Sequence, residues 1–251
     1  IKLIALELMG RENHTVKLDK EGRFYFDIEL ISAHDNYLLF GNKLVPFFAN
    51  PSDSIHLEFD NAHIDNSITF FGDGASFNNH LRIFFTELGN FLQKSSFFGH
   101  QQDASPIEFK ELCSHLQNHM TDKIDSIMRT LKPENNAKDW MNTYVKYRAA
   151  EELLQYGRHH QEELPADYFE FLDELEDPQK HDLKCSQFYE DFLNDFTTYQ
   201  MTGKMDGYDQ VRNYLSEGDT LAGLQLYLEF MDQIFISPIS KDLVLTKTVY
   251  S

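Results

Sequence analysis

The chain has 251 residues, enough for one large domain or two ordinary ones, and its 41% hydrophobic and 14% aromatic content can bury a core and excludes a disordered polymer. Its 41 acidic against 22 basic residues leave a formal net charge of -19, a field that repels phosphate backbones and anionic lipid surfaces. The densest basic groupings, Lys17 with Lys20 and Arg23, and Lys146 with Arg148, are short and interrupted by acids. Nucleic acid is therefore excluded as an expected partner.

No apolar run reaches the roughly 18 residues of a transmembrane helix, and the start carries no secretory signal. Ile1 in place of Met is what a processed or trimmed start would leave, so the missing signal does not bear on compartment. Cys113 and Cys185 form no C-x-x-C pair, which removes the local redox motif. A long-range disulfide and two unrelated buried thiols both satisfy that spacing, and two separate thiols are the expectation.

The first third reads as short strands. Residues 1–8 are an apolar run broken by Lys2 and Glu7. Val16 and Leu18 alternate with charged residues, Asp19, Lys20, Glu21 and Gly22 supply a turn, and Phe24, Phe26, Ile28 and Leu30 alternate with polar neighbours. That pattern predicts a hairpin with one buried face. Residues 37–40 close on Gly41 and Asn42, and the strand at 44–48 carries Pro46, which places it at an edge or bulge. Asn50, Pro51, Ser52 and Asp53 have turn chemistry, and alternation resumes at Ile55, Leu57 and Phe59 and again at 68–71, ending on Gly72, Asp73 and Gly74. Short strands at this spacing indicate an antiparallel sandwich or barrel.

Three stretches, D-K-E-G-R-F-Y-F, N-P-S-D-S-I-H-L-E-F-D and I-T-F-F-G-D-G-A-S-F-N-N-H-L, together resemble the N-terminal region of Bacteroidetes thioredoxin-like thiol:disulfide oxidoreductases of the TlpA type. Gly22 with Phe24, the turn at Pro51 to Ser54, Gly72 with Gly74 and Ala75, and Asn78 or Asn79 occupy the places of that family's motifs. Ser52 stands where the family usually has Gly. The resemblance implies a small β-sandwich followed by a helical region, working outside the cytoplasm in the periplasm or cell envelope, with a lipid anchor at a removed N-terminus as one arrangement. It also implies that catalysis belongs to a C-terminal thioredoxin-like domain with a C-x-x-C, which is not in these 251 residues. On that basis the chain would position or dimerise the redox domain, or recognise its substrate, and a homodimer is among the expected forms.

Beyond Gly74 the period becomes helical. Ser76 is the expected N-cap, and Leu81, Phe84, Phe85, Leu88 and Leu92 form a stripe that Phe97, Phe98, Gly99 and His100 end. Pro106 opens a second helix with Leu112, Leu116, Met120, Ile124, Ile127 and Leu131 on one face, stopped by Pro133. Trp140, Tyr144, Tyr147, Leu153 and Leu154 mark a third, stopped at Gly157, and Leu164 to Phe169 begins a fourth. Phe188, Phe192, Phe196 and Tyr199 mark a fifth, and Tyr189 to Leu193 also matches the family's Y-x-x-F-L run. Helices at 208–215 and 220–235 follow; the latter is apolar over much of its circumference and is expected at the centre of its bundle. The whole reads as α+β: a small antiparallel β-sandwich domain over 1–74 and an all-helical bundle domain over 75–251.

Candidate chemistry is sparse. His115 and His119, near Cys113, have the i, i+4 spacing of a metal pair, but no third ligand is identifiable and a solvated helix face is the expectation. His159 and His160 fit a helix terminus better than a cation site. Asp167, Glu170, Asp173, Glu174, Glu176 and Asp177 bring paired carboxylates to mind, yet they share one short charged segment, the mark of a solvated face. Gly72, Asp73 and Gly74 lack phosphate-loop spacing, and Asp73 opposes an anion. The adjacent pairs Phe70 and Phe71, Phe84 and Phe85, and Phe97 and Phe98 cannot each face one core, so some are expected to join the sandwich to the bundle or to dock a partner. No residue is assigned to catalysis, to a cofactor or to a metal, and whether the chain is an enzyme stays open. The alternative to a redox-associated region is a stand-alone extracytoplasmic binding module for a peptide or small ligand.

Overall fold

The computed structural model describes residues 1–7, 10–131, 135–160, 164–175, 186–204, 207–235 and 237–250. Strands β1 (Lys2–Glu7), β2 (Gly10–Thr15), β3 (His34–Phe40) and β4 (Lys43–Ala49) form one antiparallel sheet in the order β2-β1-β3-β4. β5 (Ile55–Glu58) and β6 (Thr69–Gly72) pair antiparallel as a second sheet, with the one-turn helix α1 (Ile64–Ser67) between them. The helices then run α2 (Ala75–Lys94), α3 (Phe97–Asp103), α4 (Pro106–Leu131), α5 (Asn135–His159), α6 (Gln187–Tyr199), α7 (Gly207–Ser216), α8 (Thr220–Ile234) and α9 (Pro238–Tyr250). The chain is thus α+β, and its sheets do not close into a barrel. Among the described residues no helix is long and apolar enough to cross a membrane.

Leu3, Leu38, Phe40, Val45, Phe47, Ile68 and Phe70 fill the core between the two sheets. Pro46 sits on β4, an edge strand, where its missing N–H costs no ladder bond. Successive side chains leave opposite faces of a strand, so Phe47 enters the sandwich core while Phe48 packs on Phe77 and Trp140 of the helices, at 5.3 and 6.2 Å between ring centroids. The four-stranded sheet is therefore covered on both faces.

α5 is the hub of the helices. Met141, Tyr144, Val145 and Tyr156 belong to the core that α5 shares with α2, α3 and α4, while Tyr147, Ala150 and Leu154 belong to a second core with α6, α8 and α9. The α4 stripe is buried as its period requires, with Leu116, Met120 and Ile124 fully covered. Ser105 and Glu108 form a capping box ahead of it: Glu108 Oε2 accepts from the Ser105 N–H at 2.9 Å and from its hydroxyl at 2.7 Å.

Several expectations are corrected. Residues 17–18 and 24–30 form no ladder: Val16 only extends the β1–β2 pairing by exchanging backbone bonds with Ile1 at 3.0 and 2.9 Å, and the edge of β1 is taken by β2, whose sequence GRENHT gives no apolar signal. Phe24, Phe26, Ile28 and Leu30 still alternate half-buried with exposed neighbours, since the sandwich core selects every second residue of this extended stretch. The turn before them forms as read: Asp19 Oδ1 accepts from the amides of Glu21 and Arg23, and Gly22 has φ +79°. The N-cap of α2 is Gly74, with φ +64°, and Ser76 lies inside the helix. Residues 97–103 form a separate short helix instead of merely ending α2. α5 runs through Gly157 to His159, and that glycine makes room for Phe169, whose ring would lie 2.6 Å from an added Cβ. The stretch after Leu164 makes a 3-10 turn at Tyr168–Leu172.

The largest correction concerns α8. It buries only Gly223, Phe230 and Met231, and leaves Leu221, Leu224 and Leu228 exposed, so α5 and not α8 is central.

Candidate functional site

Two groups of buried polar residues hold the sheets and helices together. The first opens α2. Asn78 Oδ1 accepts from the Phe48 N–H at 2.7 Å and its Nδ2 donates to the Phe48 carbonyl at 2.8 Å. Asn79 does the same to Phe70, with both bonds at 3.0 Å. Phe48 lies on β4 and Phe70 on β6, so two successive amides each act as a one-residue strand and cover one edge of each sheet. Just before them, Gly72 has φ +81°, and an added Cβ would stand 2.4 Å from the Ser54 carbonyl oxygen. Asp73 Oδ2 accepts from the Ser54 N–H at 2.9 Å, so Gly72, Asp73 and Gly74 form a tied turn.

The second group lies where β3 meets α6. His34, Asp35 and Asn36 are all buried at the start of β3. His34 Nδ1 is 2.6 Å from Asp35 Oδ1, and His34 Nε2 donates to Glu190 Oε1 of α6 at 2.9 Å. The other Asp35 contacts are the Gln187 N–H, donating to Oδ1 at 3.1 Å, and the Tyr37 hydroxyl, donating to Oδ2 at 3.3 Å. The carboxylate thus meets the N-terminus of α6, where the helix dipole favours negative charge. Burial disfavours an imidazolium, but the hydrogen bonds and charges of Asp35 and Glu190 outweigh it and raise His34 to about 10. Both ring nitrogens are engaged, and the ring pins β3 to α6.

Nearby, Arg148 of α5 donates to Glu152 Oε1 at 2.8 Å and lies with Cζ 4.1 Å from the centroid of the Phe188 ring on α6. Glu152 also accepts from Gln101 of α3 at 3.1 Å, and Glu151 accepts from Gln155. Burial, reinforced by the Glu152 charge, pushes Glu151 up to about 8. A strongly shifted buried carboxyl marks active sites as well as structural networks. Cys113 is buried, and burial raises its thiol far above the usual range.

The residues singled out in the sequence are placed separately. His115 and His119 pack their rings on Phe91 at 5.3 and 5.0 Å, and their own centroids are 6.5 Å apart. Among the described residues no three His, Cys, Asp or Glu side chains are grouped to hold a metal ion. His160 stacks on Tyr156 at 4.0 Å, and His159 Nδ1 lies 2.7 Å from the Gln155 carbonyl at the end of α5. Asp167, Glu170, Asp173 and Glu174 are exposed; Glu176, Asp177 and Cys185 lie outside the described residues. In the aromatic pairs, Phe70 and Phe97 are buried beside exposed Phe71 and Phe98, whereas Phe84 and Phe85 both pack on Tyr144.

A surface groove of about 590 Å³ runs between α4 and the 3-10 turn, lined by Ile107, Lys110, His115, Asn118, Pro165 and Tyr168 among others. Lys110 reaches across it to the Tyr168 carbonyl at 3.5 Å.

The sequence reading missed His34, Asp35, Glu190, Arg148, Glu151 and Glu152. Three consecutive polar residues, His34, Asp35 and Asn36, opening an otherwise apolar strand were the available signal, but the α6 partners of His34 and Asp35 lie 156 and 152 residues away. No protein-family model, curated protein or solved structure matches the chain.

Proposed function

We propose that the chain is the non-catalytic N-terminal portion of an extracytoplasmic thioredoxin-like thiol:disulfide oxidoreductase, and that it positions, dimerises or gives substrate recognition to a C-terminal redox domain. The observation that carries this reading is that six residues of the family resemblance have architectural tasks. Gly22, Gly72 and Gly74 take positive φ at turns, Ser52 takes φ +71° where the family usually has Gly, and Asn78 and Asn79 clasp the two sheets.

The coding sequence downstream of Ser251 tests the proposal. A thioredoxin-like segment with a C-x-x-C is the expected finding, and an in-frame stop at that point would overturn it.

A second reading, an extracytoplasmic binding module for a peptide or small ligand, is favoured by the groove along α4, whose volume lies within the range of about 300 to 1,000 Å³ typical of ligand sites. It predicts a ligand-dependent rise in melting temperature that Lys110→Ala reduces. A peptide and metabolite screen with no shift would remove it.

A further inference from the structure

The leucines of α8 are the feature the fold leaves unused. Leu221, Leu224 and Leu228 recur at i, i+3, i+7 on one side of the helix and are 69%, 53% and 46% exposed. The opposite side is closed: an added Cβ on Gly223 would lie 3.1 Å from Leu215 of α7, and Phe230 packs over Gly207. The three leucines leave roughly 300 Å² of surface in water, the size of the largest apolar patch of an ordinary monomer, a patch that is often functional. No charged residue occurs from Thr220 through Leu228, in a chain whose net charge is -19.

The rim of this stripe is acidic at both ends. Glu217 and Asp219 precede it, Glu229 and Asp232 follow it, and all four are exposed. α8 itself carries no basic residue. Asp219 caps the helix by accepting from the Ala222 N–H at 3.1 Å, and Asp232 is paired with Lys241 of α9 at 2.5 Å, so a lysine already serves one end. A second copy is a poor occupant. Antiparallel pairing of two α8 helices would set Glu217 and Asp219 against the copy's Glu229 and Asp232, and parallel pairing would set each acid against its own counterpart. Like charges at a closing interface cost affinity and slow encounter.

We propose that this face of α8 is a docking surface for an amphipathic helix of another protein, with an apolar stripe flanked by Lys and Arg. A single leucine row at helical spacing suits helix-on-helix packing, and basic flanks answer both acidic ends while the field of the whole chain steers them in. The inference is independent of the redox reading.

The test uses the whole chain and two fluorescent synthetic peptides of about 20 residues, each with a leucine stripe, one carrying Lys and the other Glu on the polar face. Binding is followed by anisotropy at low salt, and folding of each variant by its melting temperature. The Leu/Lys peptide is expected to bind and the Leu/Glu peptide not to. The triple variant Leu221→Ser, Leu224→Ser, Leu228→Ser should weaken binding at least about tenfold, or about 1.4 kcal/mol. The double variant Glu217→Lys, Glu229→Lys, which leaves the leucines in place, should weaken it similarly and remove the preference for the Leu/Lys peptide. Unchanged affinity in both variants, or equal binding of the two peptides to the native chain, would overturn the proposal. A dimer in sedimentation that the triple-serine variant dissociates would also overturn it, by assigning the stripe to a second copy.

Discussion

Asn78 and Asn79 tie both sheets to the first helix through four hydrogen bonds to backbone. Removing one amide leaves a partly buried N–H and C=O without partners, at a cost of about 1 to 3 kcal/mol for each orphaned group. Asn78→Ala and Asn79→Ala are therefore each expected to lower stability by about 2 to 4 kcal/mol, or roughly 5 to 10 °C in melting temperature for a chain of this size. A drop under about 1 °C would show that the clasps contribute little. Ser52 points the other way. Its φ of +71° strains an L-residue, so Ser52→Gly should raise stability by up to about 1 kcal/mol, read as a higher denaturation midpoint with an unchanged slope. The motif positions at these residues were legible in the sequence, but their work was not. An asparagine's partner is fixed by the path of the backbone 30 residues away, as with Asn78 and Phe48, and periodicity carries no record of that.

At the scale of elements, the strands at 37–40, 44–48, 55–59 and 68–71 and most of the long helices were legible because their most deeply buried side chains recur at the period of the element. β2 was not, because an outer strand of polar residues has no such face to declare. α5 and α8 expose the limit of composition. α8 is apolar over much of its circumference and α5 mixes charged residues among its aromatic ones, yet α5 separates two cores while α8 spends its leucines on solvent, and only the packing of α6, α7 and α9 decides which. The β5–β6 hairpin has one position with no slack. Gly72→Ala combines positive φ with a backbone oxygen 2.4 Å from the new Cβ, so the hairpin must open or shift. A loss of about 3 kcal/mol or more is expected in chemical denaturation, and a neutral variant would mean that the turn relaxes freely.

At the scale of the whole molecule, the buried polar groups predict how stability varies with pH. The folded values of His34 and Glu151 are raised, to about 10 and about 8, above ordinary values of 6.5 and 4.5. The folded state then holds extra protons, so stability is lost as pH rises: between 4.5 and about 8 through Glu151, and between 6.5 and about 10 through His34. Asp19, Asp60, Glu108 and Asp125 are lowered, chiefly by hydrogen bonds, and their contribution is lost only on the acid side of about pH 4. The melting temperature should therefore peak near pH 5, fall steadily to pH 10, and fall less steeply above pH 6.5 in His34→Gln. A native profile flat from pH 6 to 9 would show that His34 is not held as an imidazolium.

On the proposed function, these residues supply architecture and recognition while another domain supplies the thiols. Insulin reduction by this chain, compared with the protein extended into whatever its coding sequence holds beyond Ser251, tests that claim most directly. The 251-residue chain is expected to give the uncatalysed rate and the extended protein clear turnover. Turnover by the chain alone, or none from the extended protein, would contradict it.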